Sequence, residues 1–395
     1  MGLRPFFTNF AYRIQHHAGM YITRKLAETV KSRLFKSKAI IILGARQVGK
    51  STLMSHITSQ LDMPMLSLNC DDPEVRSMLT SINSANLRLL LGRNKVVAID
   101  EAQRVEEIGL VLKRIVDEYH DVQLLVSGSS SLQLKSSINE PLTGRKYEYE
   151  MFPISTGELY DTFGFMDTTR MLESRLIFGS YPDVLTHPDD AKELLRTLAD
   201  SYLYKDLLEL DEIRKPAVLQ KILVAIALQL GSEVAFSEVA RTVGSDPKTV
   251  ERYIDLLEKC YVLYSLPGLS RNLRNELKKT RKIFFYDTGI RNAVLQNYAP
   301  VALRADMGAL WENFFIMERI KRNAYIGRHA NYYFWRTTTQ QEIDFIEESD
   351  GVFSIFEMKW NPAKASAKFP QSFMNAYHPV EAVVVTPENY LEYLL

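Results

Sequence analysis

The stretch IIILGARQVGKST, Ile40 to Thr52, joins three consecutive isoleucines and a leucine to two glycines five apart and a Lys50-Ser51 pair. A short β-branched run of this kind suits a strand buried on both faces of a parallel sheet. Gly44-Ala45-Arg46-Gln47-Val48-Gly49-Lys50-Ser51 satisfies GxxxxGK[ST] in full, and the residues after it have helical character. The glycines let backbone N–H groups turn inward around phosphates, and the following helix adds its N-terminal dipole. Lys50 would reach the β- and γ-phosphates of ATP, Ser51 would ligate Mg²⁺, and Thr52 would complete the cradle. A chance glycine turn is the competing reading; the strand–loop–helix context argues against it.

A second element fits the same chemistry. VVAIDEAQ places Asp100 and Glu101 at the end of an apolar run, where a parallel sheet presents its ligands. Asp100 can hold Mg²⁺ through water, and Glu101 can orient or deprotonate the attacking water. An acidic N-cap is the plainer alternative. Together the two elements lead to the expectation of an ATPase. Further along, LLVSGSSS offers Ser127 and Ser129 as sensors of the γ-phosphate, although serines in a turn need no such role. Arg145, in PLTGRKYEYE, is a candidate for the cation that offsets transition-state charge, or else an ordinary surface arginine.

The bulk numbers bound the rest. At 395 residues the chain is long enough for two to four domains, and 46% hydrophobic with 24% charged residues is ordinary for a globular protein. Two cysteines, Cys70 and Cys260, provide neither a disulfide framework nor a CxxC pair, so a reducing interior is the expected compartment. No apolar run approaches the roughly 18 residues of a membrane span, and the N-terminus lacks a signal-peptide pattern. A cytoplasmic location is expected. The adjacent His16 and His17 have no partners at metal-ligand spacing.

Net charge is zero but uneven. Residues 1–38 hold eight Lys/Arg against Glu28, and residues 270–282 hold six against Glu276. Such patches permit nucleic-acid binding without requiring it. Strand-like and helical segments alternate from residue 39 to about 150, which predicts an α/β domain with a parallel sheet. A mostly helical stretch follows. Then Phe236–Val243 reads as a short helix, Gly244-Ser245 as a break, and Asp246-Pro247 as the cap and first position of a second helix. With the strand, basic loop and KIFFYD strand that follow, this is a winged helix-turn-helix pattern. Its second helix carries Lys248, Arg252 and Lys259 but also Asp246, Glu251, Asp255 and Glu258. That balance favours the basic wing at 271–282 as the DNA contact and leaves a protein-binding role open.

The strings YITRKL, GARQVGKST, IDEAQ, SGSSS, LTGRKYEYEMFPIS-TGE and GSYPDVL together resemble a prokaryotic group of AAA-type P-loop ATPases. The resemblance spans nearly the whole chain from Tyr21. It implies an α/β parallel-sheet ATPase core, a helical lid, a winged helix and a C-terminal α/β domain like that of restriction endonucleases. The corresponding segments are a basic helical N-terminal arm at 1–37, the core at 38–165, the lid at 166–230, the winged helix at 231–285 and the endonuclease-like domain at 286–395. It further implies a homo-oligomer, such as a hexameric ring, with ATP at subunit junctions and an arginine, for which Arg145 is the candidate, supplied by the neighbour.

The endonuclease-like pattern requires a helical glutamate, an aspartate on one strand and ExK on the next. Glu312 in WENFF, Asp344 in EIDFI, and Glu357 and Lys359 in FEMKW match it. Strand alternation puts Glu357 and Lys359 on one face. The resemblance makes Glu312, Asp344 and Glu357 metal ligands, with Lys359 positioning hydroxide or stabilising phosphorane charge. Such carboxylates also persist for folding or binding alone. The function expected is an ATP-driven motor or remodeller acting on DNA in repair, recombination or defence. The competing expectation is a nucleotide-dependent switch that signals to a protein partner and carries an inactive nuclease-like domain.

Overall fold

The computed structural model describes residues 21–80, 82–128, 138, 141–201, 215–270, 281–337, 339–365 and 368–395. Ser129, residues 1–20 and residues 271–280 of the basic wing lie outside them. Two compact units emerge. Among the described residues, one comprises Thr23–Pro153 with Lys259–Tyr261; the other comprises Ile154–Glu258 and Val262–Leu395 together with residues 21–22.

The first unit is built on five parallel strands: β1 (Ala39–Leu43), β2 (Met65–Asn69), β3 (Val96–Asp100), β4 (Gln123–Gly128) and β5 (Lys146–Glu150). Helices α1 (Leu26–Arg33), α2 (Lys50–Thr58), α3 (Pro73–Thr80), α4 (Ser84–Leu91) and α5 (Ile108–Glu118) precede or link them. Apolar residues recur at helical spacing from Tyr21 to Phe35 and predict a helix over that span; the observed α1 is shorter, starting after Lys25. The strand order is β2-β3-β4-β1-β5, so β4 separates the two strands that end in the chemistry-bearing motifs. Every residue of β1 is buried, as its isoleucine run demands, because both faces of a covered parallel sheet exclude water.

In the second unit, α6 (Thr156–Arg170) starts at a capping box, with Ser155 and Glu158 satisfying each other's backbone N–H groups. Helices α7 (Leu172–Phe178), α8 (Pro182–Thr186), α9 (Ala191–Ser201) and α10 (Pro216–Leu228) follow. The GSYPDVL string has a structural reason here. The Ser180 N–H donates to Asp287 Oδ2 at 2.7 Å, and a Cβ on Gly179 would lie 1.8 Å from Asp287 Oδ1. Only glycine leaves room for that carboxylate. Strand β6 (Glu233–Val234), helices α11 (Phe236–Val243) and α12 (Pro247–Lys259), and strands β7 (Leu263–Pro267) and β8 (Arg281–Phe285) form a helix-turn-helix beside an antiparallel sheet of order β6-β8-β7. Gly244 makes the turn at φ +70°, and Asp246 accepts the Thr249 N–H at 2.9 Å.

Beyond α13 (Thr288–Val294), the long helix α14 (Met307–Tyr325) precedes a four-stranded sheet of order β12-β11-β10-β9. Its strands are β9 (Asn331–Arg336), β10 (Glu342–Ser349), β11 (Val352–Met358) and β12 (Glu381–Val385), with α15 (Gln371–Tyr377) and α16 (Tyr390–Leu394) completing the chain. Asp350 and Gly351, both at positive φ, close the β10–β11 hairpin, the backbone sign that a two-residue hairpin turn requires. Strands β10 and β11 are antiparallel while β12 runs parallel to β11. The C-terminal core gathers Ile343, Ile346, Ile355 and Phe373. Among the described residues, no helix is long and apolar enough to cross a membrane.

Candidate active site and carboxylate pocket

The loop Gly44–Gly49 leaves the carboxyl end of β1 and enters α2. Its tightness is enforced by the backbone: a Cβ on Gly44 would stand 2.1 Å from the Met151 carbonyl oxygen. Gly49 caps α2 at φ +93°, and Gln47 also sits at positive φ. Positive φ at these positions is the backbone sign with which a phosphate-binding loop turns its amides inward. Lys50 is 4% exposed, and its Nζ donates to Gly44 O at 2.9 Å and Ala45 O at 2.7 Å. Carbonyl oxygens thus occupy the amine in the place where phosphate oxygens would compete for it. Ala45 and Val48 are buried and anchor the loop, while Gln47, Ser51 and Thr52 are exposed and Arg46 is half-buried.

The register brings the other elements alongside. Ser127 on β4 is opposite Ile42 on β1, and Val126 is opposite Ile99 on β3. Ser127 therefore stands between the loop and Asp100. Its hydroxyl donates to Asp100 Oδ1, which also accepts the Glu101 N–H at 3.1 Å. Glu101 lies at φ 52°, a conformation costly for a side chain with a Cβ and concentrated at functional positions. Its Oε2 accepts a hydrogen bond from Gln103. The donor set suits ATP with Mg²⁺: amides and a lysine for the phosphates, a hydroxyl and a carboxylate for the ion. Cys70, whose N–H bonds the Asp100 carbonyl, has its thiol pushed up to about 12 by burial and then by Asp100, so it is inert beside the site.

Arg24 belongs to this site and was not legible as a site residue from its spacing. It is 3% exposed, and its guanidinium donates to Val48 O at 2.6 Å and to Phe152 O. It ties the phosphate loop to the segment after β5. The YITRKL string carries it. Arg145, by contrast, is not brought to the phosphate loop of its own chain. Its carbonyl accepts the Ala39 N–H, which places it at the amino end of β1, and its Nε pairs with Asp117 Oδ1 at 2.6 Å. One five-residue strand, about 16 Å, separates that end from the loop.

The C-terminal carboxylates gather around an amine from the basic segment that follows the helix-turn-helix. Lys282, counted among the bases of the wing, is 2% exposed. Its Nζ lies 2.8 Å from Glu312 Oε1, 2.7 Å from Glu342 Oε1 and 4.0 Å from Asp344 Oδ1, and it stands over the Phe334 ring. It is thus unavailable to a DNA phosphate. Asp344 Oδ2 accepts the Met358 N–H at 3.0 Å, and Glu357 Oε1 pairs with Lys359 Nζ at 2.5 Å. Burial pushes Glu312 up to about 8 despite Lys282 beside it. Asp344 and Glu357 are also raised, burial being the main cause and, for Glu357, Asp344 the next. Among the described residues, no group of three or more His, Cys, Asp or Glu side chains is arranged to hold a metal ion. As folded, the pocket does not fit a divalent cation. Glu342 was also missed; it precedes Asp344 by two on the same strand face.

Residues 36–160 match a family profile described as an AAA domain. Residues 169–300 and 307–393 match two profiles described as domains of unknown function, DUF8612 and DUF4143. An uncharacterised protein of Mycobacterium tuberculosis, Rv2008c, is 26% identical over 342 residues, covering 85% of this chain and 73% of its own length. An uncharacterised protein of Methanocaldococcus jannaschii, MJ1637, is 23% identical over 334 residues, 73% of this chain and 70% of that protein. Among solved structures, a signal-transduction ATPase with numerous domains from Pyrococcus horikoshii aligns at TM-score 0.28 and 11% identity, over 78% of this chain and 48% of that one. A Drosophila ORC structure aligns at TM-score 0.25 and 11% identity, over 73% of this chain and 93% of that one. The five-stranded parallel sheet and the loop at the end of β1 agree with the profile match: residues 36–160 have the α/β fold of a P-loop AAA-type ATPase.

Proposed function

We propose that this chain is an ATP-hydrolysing motor or remodeller that acts on DNA as a homo-oligomer. In this reading Lys50 and the loop amides bind the phosphates, and Ser51 and Asp100 hold Mg²⁺, which when bound would offset phosphate charge. Glu101 orients the attacking water and accepts its proton. Ser127 fixes the Asp100 carboxylate and senses the γ-phosphate.

The observation that carries the DNA reading is the exposed charge on the helix-turn-helix, taken as a winged helix. Lys248 and Arg252 are exposed on α12, whereas Asp255 and Glu258 are half-buried and Asp246 is engaged with Thr249. Within the helix, Glu251 alone among the acids is equally exposed. Burial thus leaves a surface more basic than composition indicates, which suits phosphate contact. The helical lid, the endonuclease-like C-terminal fold and a cytoplasmic location are part of the same proposal. So is a ring in which Arg145 serves the neighbour's nucleotide; its distance from its own loop supports service in trans over service in cis.

ATP turnover with and without duplex, single-stranded and branched DNA tests this reading. Stimulation that disappears in Lys248→Ala/Arg252→Ala is expected. No response to any DNA, together with a long-lived ATP-bound state, would favour the switch that signals to a protein partner. The Lys282-filled carboxylate pocket favours that second reading to one extent: it suits a nuclease-like domain that does not cleave.

A further inference from the structure

The pocket that the C-terminal motif would assign to a divalent ion already contains a cation of the chain's own. Lys282 arrives there on β8, the central strand of its sheet, where it pairs with Glu233 of β6 on one side and Leu266 of β7 on the other. Helix α14 grips the same strand. The Asn313 side chain accepts the Phe285 N–H and donates to the Phe285 carbonyl, both at 2.8 Å, while the preceding Glu312 takes the Lys282 amine. A second link runs from the loop after β7, whose Leu269 N–H donates to Phe334 O at 2.7 Å on β9. The amine is therefore held by strand pairing, by a helix and by the adjoining sheet at once.

An ammonium donates to oxygens at about 2.8 Å, whereas Mg²⁺ needs several oxygens at roughly 2.0–2.1 Å. The two cannot share one position, and their like charges would repel at close range. The remaining acid, Glu357, has its own partner in Lys359.

We propose that Lys282 is the resident cation of the C-terminal carboxylate pocket, so that the pocket takes no divalent ion while β8 is paired and becomes a divalent-cation site only when the amine is removed. The proposal stands apart from the ATPase and DNA readings, since its readout is metal occupancy. In this role Glu312 and Glu342 fasten β8, and through it the helix-turn-helix segment, to the C-terminal sheet.

Mn²⁺ binding to the full chain without nucleotide, followed by the loss of the free-ion paramagnetic resonance signal, tests it. Wild type and Asp344→Asn should bind Mn²⁺ identically. Lys282→Met should gain one ion per chain, bound about tenfold or more tighter than any ion on wild type, and Lys282→Met/Asp344→Asn should lose it. Lys282→Arg should gain none. A wild-type ion lost in Asp344→Asn overturns the proposal, as does a folded Lys282→Met with no new ion. Should Lys282→Met fail to fold, the wild-type and Asp344→Asn pair, which keeps Lys282, still decides the matter.

Discussion

The phosphate loop and the C-terminal carboxylate pocket are both marked by short motifs, yet they behave differently once folded. The loop works through its own backbone: a buried strand, two glycines and a helix start are enough to aim the amides and Lys50. Its supporting residues, Asp100 and Ser127, arrive by strand order on the same sheet edge. The pocket instead collects side chains from α14, β10 and β11, and the group at its centre, Lys282, comes from β8. A motif read along the chain can announce the first kind of site. It cannot exclude an uninvited neighbour from the second.

The contrast can be broken most forcefully at the loop. Lys50→Ala should abolish saturable nucleotide binding and lower turnover by more than about 10³-fold, measured by nucleotide titration and phosphate release. Normal ATP affinity in that variant would mean that the loop is not the phosphate site. Glu101→Gln should keep ATP affinity and lose turnover on the order of 10³-fold; undiminished hydrolysis would assign the base elsewhere.

A second buried group of charges provides the comparison for the carboxylate pocket. Glu318 pairs with Arg175 at 3.0 Å and Lys321 at 2.7 Å, and accepts the Thr156 N–H and hydroxyl. Burial opposes its charge, but Lys321 and then Arg175 outweigh it and hold the carboxyl at about 2, against its ordinary 4.5. Its folded pKa is depressed, so its stabilising contribution is complete above about pH 4.5 and fades as pH falls towards 2. Glu318→Gln should cost about 3 kcal/mol at neutral pH and flatten that acid slope in denaturant titrations. An unchanged slope would mean that the three charges do not act as one network. The smallest effect is expected at Arg24: Arg24→Ala should lose about 2 kcal/mol of stability and weaken ATP binding more than turnover at saturation, read from thermal melts and initial rates.

Much of this was legible beforehand for a definite reason. The α11 bounds, the Asp246 cap, the first four strands of the first unit and the placement of Asp100 all follow from local pattern and capping chemistry, which act over a few residues, whereas β5 (Lys146–Glu150) was not legible as a strand. The pairing of Glu357 with Lys359 follows from strand alternation. Arg24 and Lys282 were not legible as site residues. Each is a long basic side chain whose neighbours are distant in sequence: Phe152 for Arg24, Glu342 for Lys282. In composition they count as two more bases in basic segments, and the charge of a segment says nothing about which of its amines turns inward.

Sequence alone was sufficient for the strand–loop–helix cradle, the acidic pair at the end of β3 and the helix-turn-helix, because backbone propensity and periodicity settle such units locally. Tertiary structure decided the rest. It set Ser127 against Asp100, put Arg145 at the far end of β1 from its own loop, buried part of the acidity of α12, and seated Lys282 among the carboxylates. Each of those outcomes depends on which strands become neighbours and on the cost of leaving a buried charge without a partner, and both are properties of the assembled fold.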